Sequence, residues 1–75
     1  MSRGTMKIFA GRLKELRKEK KQKQQEMADY LGESIRAYQY YESATHYPDV
    51  SGLIQLADYF GVTTDYLLGR RDSRT

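Results

Sequence analysis

Seventy-five residues with no cysteine and one histidine make a single small domain that neither disulfides nor structural zinc can hold together. No apolar run approaches a membrane span or a secretory signal, which points to a cytoplasmic chain, and no nucleophile–base pair is available for an enzyme to use. The net charge of +3 is unevenly spread: nine basic residues face two acids up to Lys23, a net +7, and four arginines face eight acids from Gln24 onward, a net −4.

Such asymmetry suits a surface that meets a polyanion, although a Lys-rich helix is more often simply a solvated face. Residues 1–5 read as a disordered segment, and Met6 offers an alternative start. From Met6 to Lys20 the pattern is helical, with Phe9, Leu13 and Leu16 on one stripe among charges. Lys21-Gln22-Lys23 has no apolar anchor and reads as a connector.

A helix over Gln24–Leu31 follows, with Met27, Ala28 and Leu31 on one face. Gly32 stops it. Ser34 is placed to cap a third helix, Ile35–Ser43, by accepting from an unpaired backbone N–H. In that helix Tyr38 and Tyr41 point one way, while Ile35, Arg36, Gln39 and Tyr40 point largely another. Two short helices around a tight turn, the second with Arg, Gln, Tyr and an exposed Ile outside, have the chemistry to read base edges in a DNA major groove.

Ala44–Pro48 is a loop, with Pro48 ahead of a helix start. Asp49 is the N-cap of a fourth helix whose stripe is Leu53, Leu56, Ala57 and Phe60; Gly61 ends it. Thr63 or Thr64 caps a fifth, Asp65–Leu68, and Gly69 stops that one. Residues 70–75 form a polar tail. No stretch alternates with period two, so the fold is all-α: five helices in one compact domain spanning residues 6–69. Its expected core is Phe9, Leu13, Leu16, Met27, Ala28, Leu31, Tyr38, Tyr41, Leu53, Leu56, Ala57, Phe60, Val62 and Leu67.

Four segments taken together carry a family resemblance: RLKELRKEK (12–20), QQEMADYLG (24–32), YYE (40–42) and LADYFGVTTDYLLG (56–69). In this order and spacing the chain resembles the phage-repressor type of helix-turn-helix DNA-binding regulators (Xre-like, lambda repressor and Cro class) from Phe9 to Gly69. The resemblance implies a lambda-repressor-like domain that binds double-stranded DNA, with no cofactor. It implies that Ile35, Arg36, Gln39 and Tyr40 face bases. Gln24 would hold a phosphate with Lys23 beside it, and Ser43, Thr45 and Tyr47 would approach the DNA backbone, as would Ser34 at the turn. It also implies a largely buried ion pair between Arg17 and Glu42.

Each residue also has a plainer reading. Arg36 suits guanine O6 and N7 or sits free on the surface. Gln39 suits adenine, a phosphate or water. Ile35 fits a thymine methyl or covers the turn beside Glu33, and His46 is read as a solvated loop residue. The chain departs from the family at Lys21 and Ala44, where glycine is usual, at Gln22 and Glu33, where apolar residues are usual, and at Tyr38, where the core residue is smaller.

The expected function is transcriptional regulation: a repressor that binds an inverted-repeat operator as a homodimer. Tyr59, Tyr66 and Leu68 are candidates for the dimer contact, because they add up to many exposed apolar groups for so small a chain. The alternative is an antitoxin-like protein-interaction module on the same fold, and regulation would then come through a protein partner.

Overall fold

The computed structural model describes residues 3–75. Its elements are α1 (Arg3–Glu19), α2 (Gln24–Leu31), α3 (Ile35–Glu42), α4 (Val50–Phe60) and α5 (Thr64–Leu67), with no strand among the described residues. Helix α2 packs on α3 and α3 on α1, while α1 and α4 both pack on α5. The result is a body of 27 × 23 × 21 Å.

The caps explain most of the helix boundaries. Ser34 Oγ accepts from the Ala37 N–H at 3.1 Å, Asp49 Oδ1 from Gly52 at 2.7 Å, and Thr63 Oγ1 from Tyr66 at 3.0 Å. Each satisfies a first-turn donor that has no helical partner. Helix α1 begins three residues before the expected Met6, so Arg3–Thr5 are helical and not disordered; Met1 and Ser2 lie outside the described residues. The extra turn contributes Gly4 and Thr5, which bury no large side chain, and apolar periodicity therefore could not register it.

Every helix ends in the same way, on a left-handed residue whose following amide reaches back five positions. Gly32, Gly61 and Gly69 fill this role after α2, α4 and α5. After α1 and α3 the residues are Lys21 (φ +57°) and Ala44 (φ +61°), with Gln22 N–H donating to the Arg17 carbonyl at 3.1 Å and Thr45 N–H to that of Tyr40 at 3.0 Å. These are two of the positions where the family carries glycine. A residue with a Cβ costs about 1–2 kcal/mol in this conformation, partly offset because it has less freedom to lose on folding. Ala44→Gly should therefore stabilise the domain by about 0.5–1 kcal/mol, and urea unfolding would show it as a higher midpoint at unchanged slope. An unchanged or lower midpoint would mean the turn is not strained.

The core contains Phe9, Leu13, Leu16, Met27, Ala28, Tyr38, Tyr41, Leu56, Ala57, Val62 and Leu67 as expected. Leu31, Leu53 and Phe60 are only half-buried against it, while Ala10 and Tyr66 are buried and absent from the expected set. Tyr38 fits because its ring meets Tyr41 edge-on, 6.1 Å between centroids. Residues 70–75 are polar but docked. Arg74 pairs with Glu19 at 2.6 Å and Glu15 at 3.2 Å, its carbonyl accepts from the Thr63 N–H at 2.9 Å, and Arg12 holds the Tyr66 and Arg71 carbonyls.

Candidate nucleic-acid interface

Helix α3 divides its side chains as its spacing requires. Tyr38 and Tyr41 are buried, while Ile35, Arg36, Gln39 and Tyr40 are exposed together; Ile35 and Tyr40 each keep 38% of their surface open. Arg36 makes no ion pair with any described residue. The turn that holds this face outward contains Glu33, whose carboxylate accepts from the Tyr41 hydroxyl. Burial first, and then this bond, raise the pKa of Tyr41. A partnered Glu33 thus takes the place of the usual apolar residue.

Beneath the face lies an ion pair. Arg17 Nε and Nη2 donate to Glu42 at 2.7 and 3.0 Å, a two-pronged pairing that fixes the carboxylate. The Glu42 side chain is only 3% exposed. Burial opposes its ionisation, but Arg17, the nearby Tyr38 hydroxyl and Gln24 outweigh burial and lower its pKa. The same bond raises the pKa of Arg17. The Tyr38 hydroxyl stands close to the pair without reaching hydrogen-bond geometry, and burial, followed by Glu42, raises its pKa. Arg17 Nη1 also donates to the Gln22 carbonyl at 2.9 Å, which secures the connector.

Gln24 opens α2 and joins this pair to the exposed face. Its Nε2 donates to Glu42 Oε1 at 3.2 Å, and its Oε1 accepts from Gln39 Nε2, also at 3.2 Å. Nothing in the sequence signalled this link, which spans 15 and 18 positions. Lys23 is exposed beside it, and the Lys23 backbone N–H donates to the Glu26 carboxylate at 2.8 Å. Lys20 turns away: its ammonium donates to the Tyr59 carbonyl at 3.1 Å and sits over the Tyr59 ring.

In the loop after α3, Ser43 and Thr45 are exposed with their hydroxyls 2.7 Å apart, and His46 meets the Tyr40 ring edge-on at 5.0 Å. Tyr47 departs from expectation. Its ring turns inward onto Phe9, 5.3 Å between centroids, and its hydroxyl is buried without a partner, so burial raises its pKa. A hydroxyl so placed offers nothing to a DNA backbone.

The exposure expected of the dimer-contact candidates is corrected. Tyr66 is 7% exposed, with the Arg12 guanidinium 4.2 Å above its ring; Tyr59 lies between Tyr30, Phe60 and Lys20; and Leu68 is half-buried. The open apolar residues on α4 are instead Val50, at 74%, and Ile54. Among the described residues no cluster has the donors to hold a metal ion, and no helix is long and apolar enough to cross a membrane.

The profile of a helix-turn-helix family matches residues 13–67. Over 61 residues, 81% of this chain and 53% of the relative, the chain is 44% identical to an uncharacterized HTH-type transcriptional regulator, YqaE, of Bacillus subtilis. It is 43% identical over 61 residues, 81% of the chain, to the SPbeta prophage-derived regulator YonR of the same organism, covering 56% of it. It is 37% identical over 59 residues, 79% of the chain and 53% of the relative, to the cryptic phage CTXphi transcriptional repressor RstR of Vibrio cholerae. The chain thus spans about half the length of the curated relatives it matches. No solved structure gives a significant match.

Proposed function

Because the chain belongs to the helix-turn-helix family, we propose that it is a sequence-specific, double-stranded DNA-binding regulator of transcription that lays α3 in the major groove. The observation that carries this reading is the single exposed face of α3, on which Ile35, Arg36, Gln39 and Tyr40 stand together above a fixed ion pair. Arg36 would read guanine, Gln39 adenine and Ile35 a thymine methyl, with the Tyr40 hydroxyl reaching a base edge. Lys23, the start of α2 at Gln24, and the hydroxyls of Ser34, Ser43 and Thr45 would hold phosphates and set the register.

One module of this size covers little DNA, so useful specificity calls for two. A homodimer would place two α3 helices about 34–36 Å apart on an inverted repeat. Acting there as a repressor, it would exclude polymerase. The resemblance to a phage repressor supports that direction of control.

Selection from a random duplex pool at about 150 mM salt tests the proposal, since weak electrostatic binding fades at that ionic strength. An enriched inverted repeat with half-sites about ten base pairs apart is expected; retention without a motif would overturn it. In the same assay Lys23→Ala should weaken binding to every sequence alike and flatten the salt dependence by about one unit of slope. A changed sequence preference would remove Lys23 from the set of backbone contacts.

A further inference from the structure

From the free lysines and the bare glycine on the outer face of α1 we infer a second binding surface, one that docks an acidic helix of a partner protein. It shares no residue with the α3 face and stands apart from the DNA-binding reading.

Lys7, Gly11, Lys14 and Lys18 form one stripe along α1, turned away from the buried Phe9, Leu13 and Leu16. All four are exposed. None of the three lysines makes an ion pair with a described residue. The carboxylates beside them are engaged from the other side, where Arg74 holds Glu15 at 3.2 Å and Glu19 at 2.6 Å. The lysine charges are thus left unpaired, and Lys14 and Lys18, one turn apart, repel each other.

Gly11 gives the stripe its shape. It stands midway along the 17-residue α1, where only proline is a poorer helix former. Its backbone has no positive φ, and a Cβ added to it would meet nothing within 4 Å. Nothing inside the domain therefore calls for glycine. What the missing side chain leaves is a shallow, open groove of about 510 Å³, lined by Gly11, Lys14, Glu15, Lys18 and Glu19. At 1.5 Å per residue these span about 12 Å, room for roughly two turns of a second helix.

A bare backbone lets another chain come close. The methylene stems of the lysines wall the groove and keep their ammonium groups at its rim. The complementary ligand is a helix with a small or apolar residue over Gly11 and carboxylates, one turn apart, towards Lys7, Lys14 and Lys18. Nucleic acid fits less well, because Glu15 and Glu19 line the same groove and would face its phosphates.

The test titrates the isotope-labelled full chain with two alanine-rich helical peptides of equal composition. One carries its glutamates on a single face, and the other has them spread round the helix. With the first, amide shifts should concentrate at Gly11, Lys14 and Lys18 and fade as salt rises; with the second they should be largely absent. The double variant Lys14→Ala/Lys18→Ala should bind about four- to tenfold more weakly, as expected for two surface charge pairs. Gly11→Leu should unfold at or above the wild-type temperature, since leucine is the better helix former and its Cβ meets no neighbour, yet it should bind no peptide. Equal binding of the two peptides, shifts confined to α3, or full affinity in Gly11→Leu overturns the inference. So does a mixed-sequence duplex that shifts the same three amides, which would make the groove a phosphate surface.

Discussion

Glu42→Ala is expected to destabilise the domain by about 3–5 kcal/mol, because it leaves the Arg17 guanidinium in a site built for a pair. The Arg17 side chain is 11% exposed, so water recovers little of the loss. Gln24 loses its acceptor as well, and an unmade bond in the interior is penalised more heavily than a made one is rewarded. A chain of 75 residues has a total stability of about 4–11 kcal/mol. The variant should therefore be substantially unfolded at 37 °C, visible by circular dichroism and urea titration. A loss well under 1 kcal/mol would show that the pair is not an essential link between α1 and α3.

The same pair gives the domain a dependence on acid. The folded-state pKa of Glu42 lies below its ordinary value of 4.5. Its contribution is therefore complete above that value and lost as pH falls through the folded one, where protonation removes the charge that Arg17 holds. Glu42→Gln should flatten the decline in stability below about pH 4.5. Glu19 is lowered in the same direction by Arg74, but that pair lies at the surface, its side chains 41% and 46% exposed, and is screened by salt. Titration in about 0.5 M salt separates the two, since the buried pair is screened far less.

Arg36→Ala should leave folding untouched and lower affinity for the selected sequence by about 1–3 kcal/mol, or roughly 5- to 150-fold. The side chain is exposed and forms no ion pair with a described residue, so unfolding midpoints should move by less than about 0.5 kcal/mol. Lysine is not a substitute for a planar, two-pronged donor, and Arg36→Lys should lose most of the same discrimination. Affinity for unrelated duplexes is the control. Equal weakening on both kinds of DNA, with a smaller salt slope, would make Arg36 a phosphate contact and leave guanine unread.

Features set by neighbours in the chain are legible in the sequence. Ser34, Asp49, Gly32 and Gly61 act within one turn of themselves, and the helices they bound lie where spacing and caps put them. The outward grouping of the four α3 side chains follows from helical period alone. Sequence could not show where a lone aromatic turns. Tyr47 precedes a proline in a loop that has no period, and it found room against Phe9. Tyr66 sits in a four-residue helix too short to define a face, and its burial depends on Arg12 and Arg74, 54 and eight positions away. The bond between Gln24 and Gln39 is not legible in the sequence for a related reason: each side chain has a sufficient local use, and only folding brings them together.

The docked end of the chain has a consequence for motion. Thr63 caps α5, so its own amide has no helical partner and donates only to the Arg74 carbonyl. The tail is held to α1 by exposed ion pairs across 55 and 59 positions, and such pairs weaken as salt rises. Hydrogen exchange at Thr63 should therefore proceed by lifting of the last few residues while the rest of the domain stays closed. Its rate should climb with ionic strength, whereas amides inside α1 and α3, which do not depend on the tail, should show no such dependence. Exchange at this one amide would thus tell lifting of the tail apart from opening of the body.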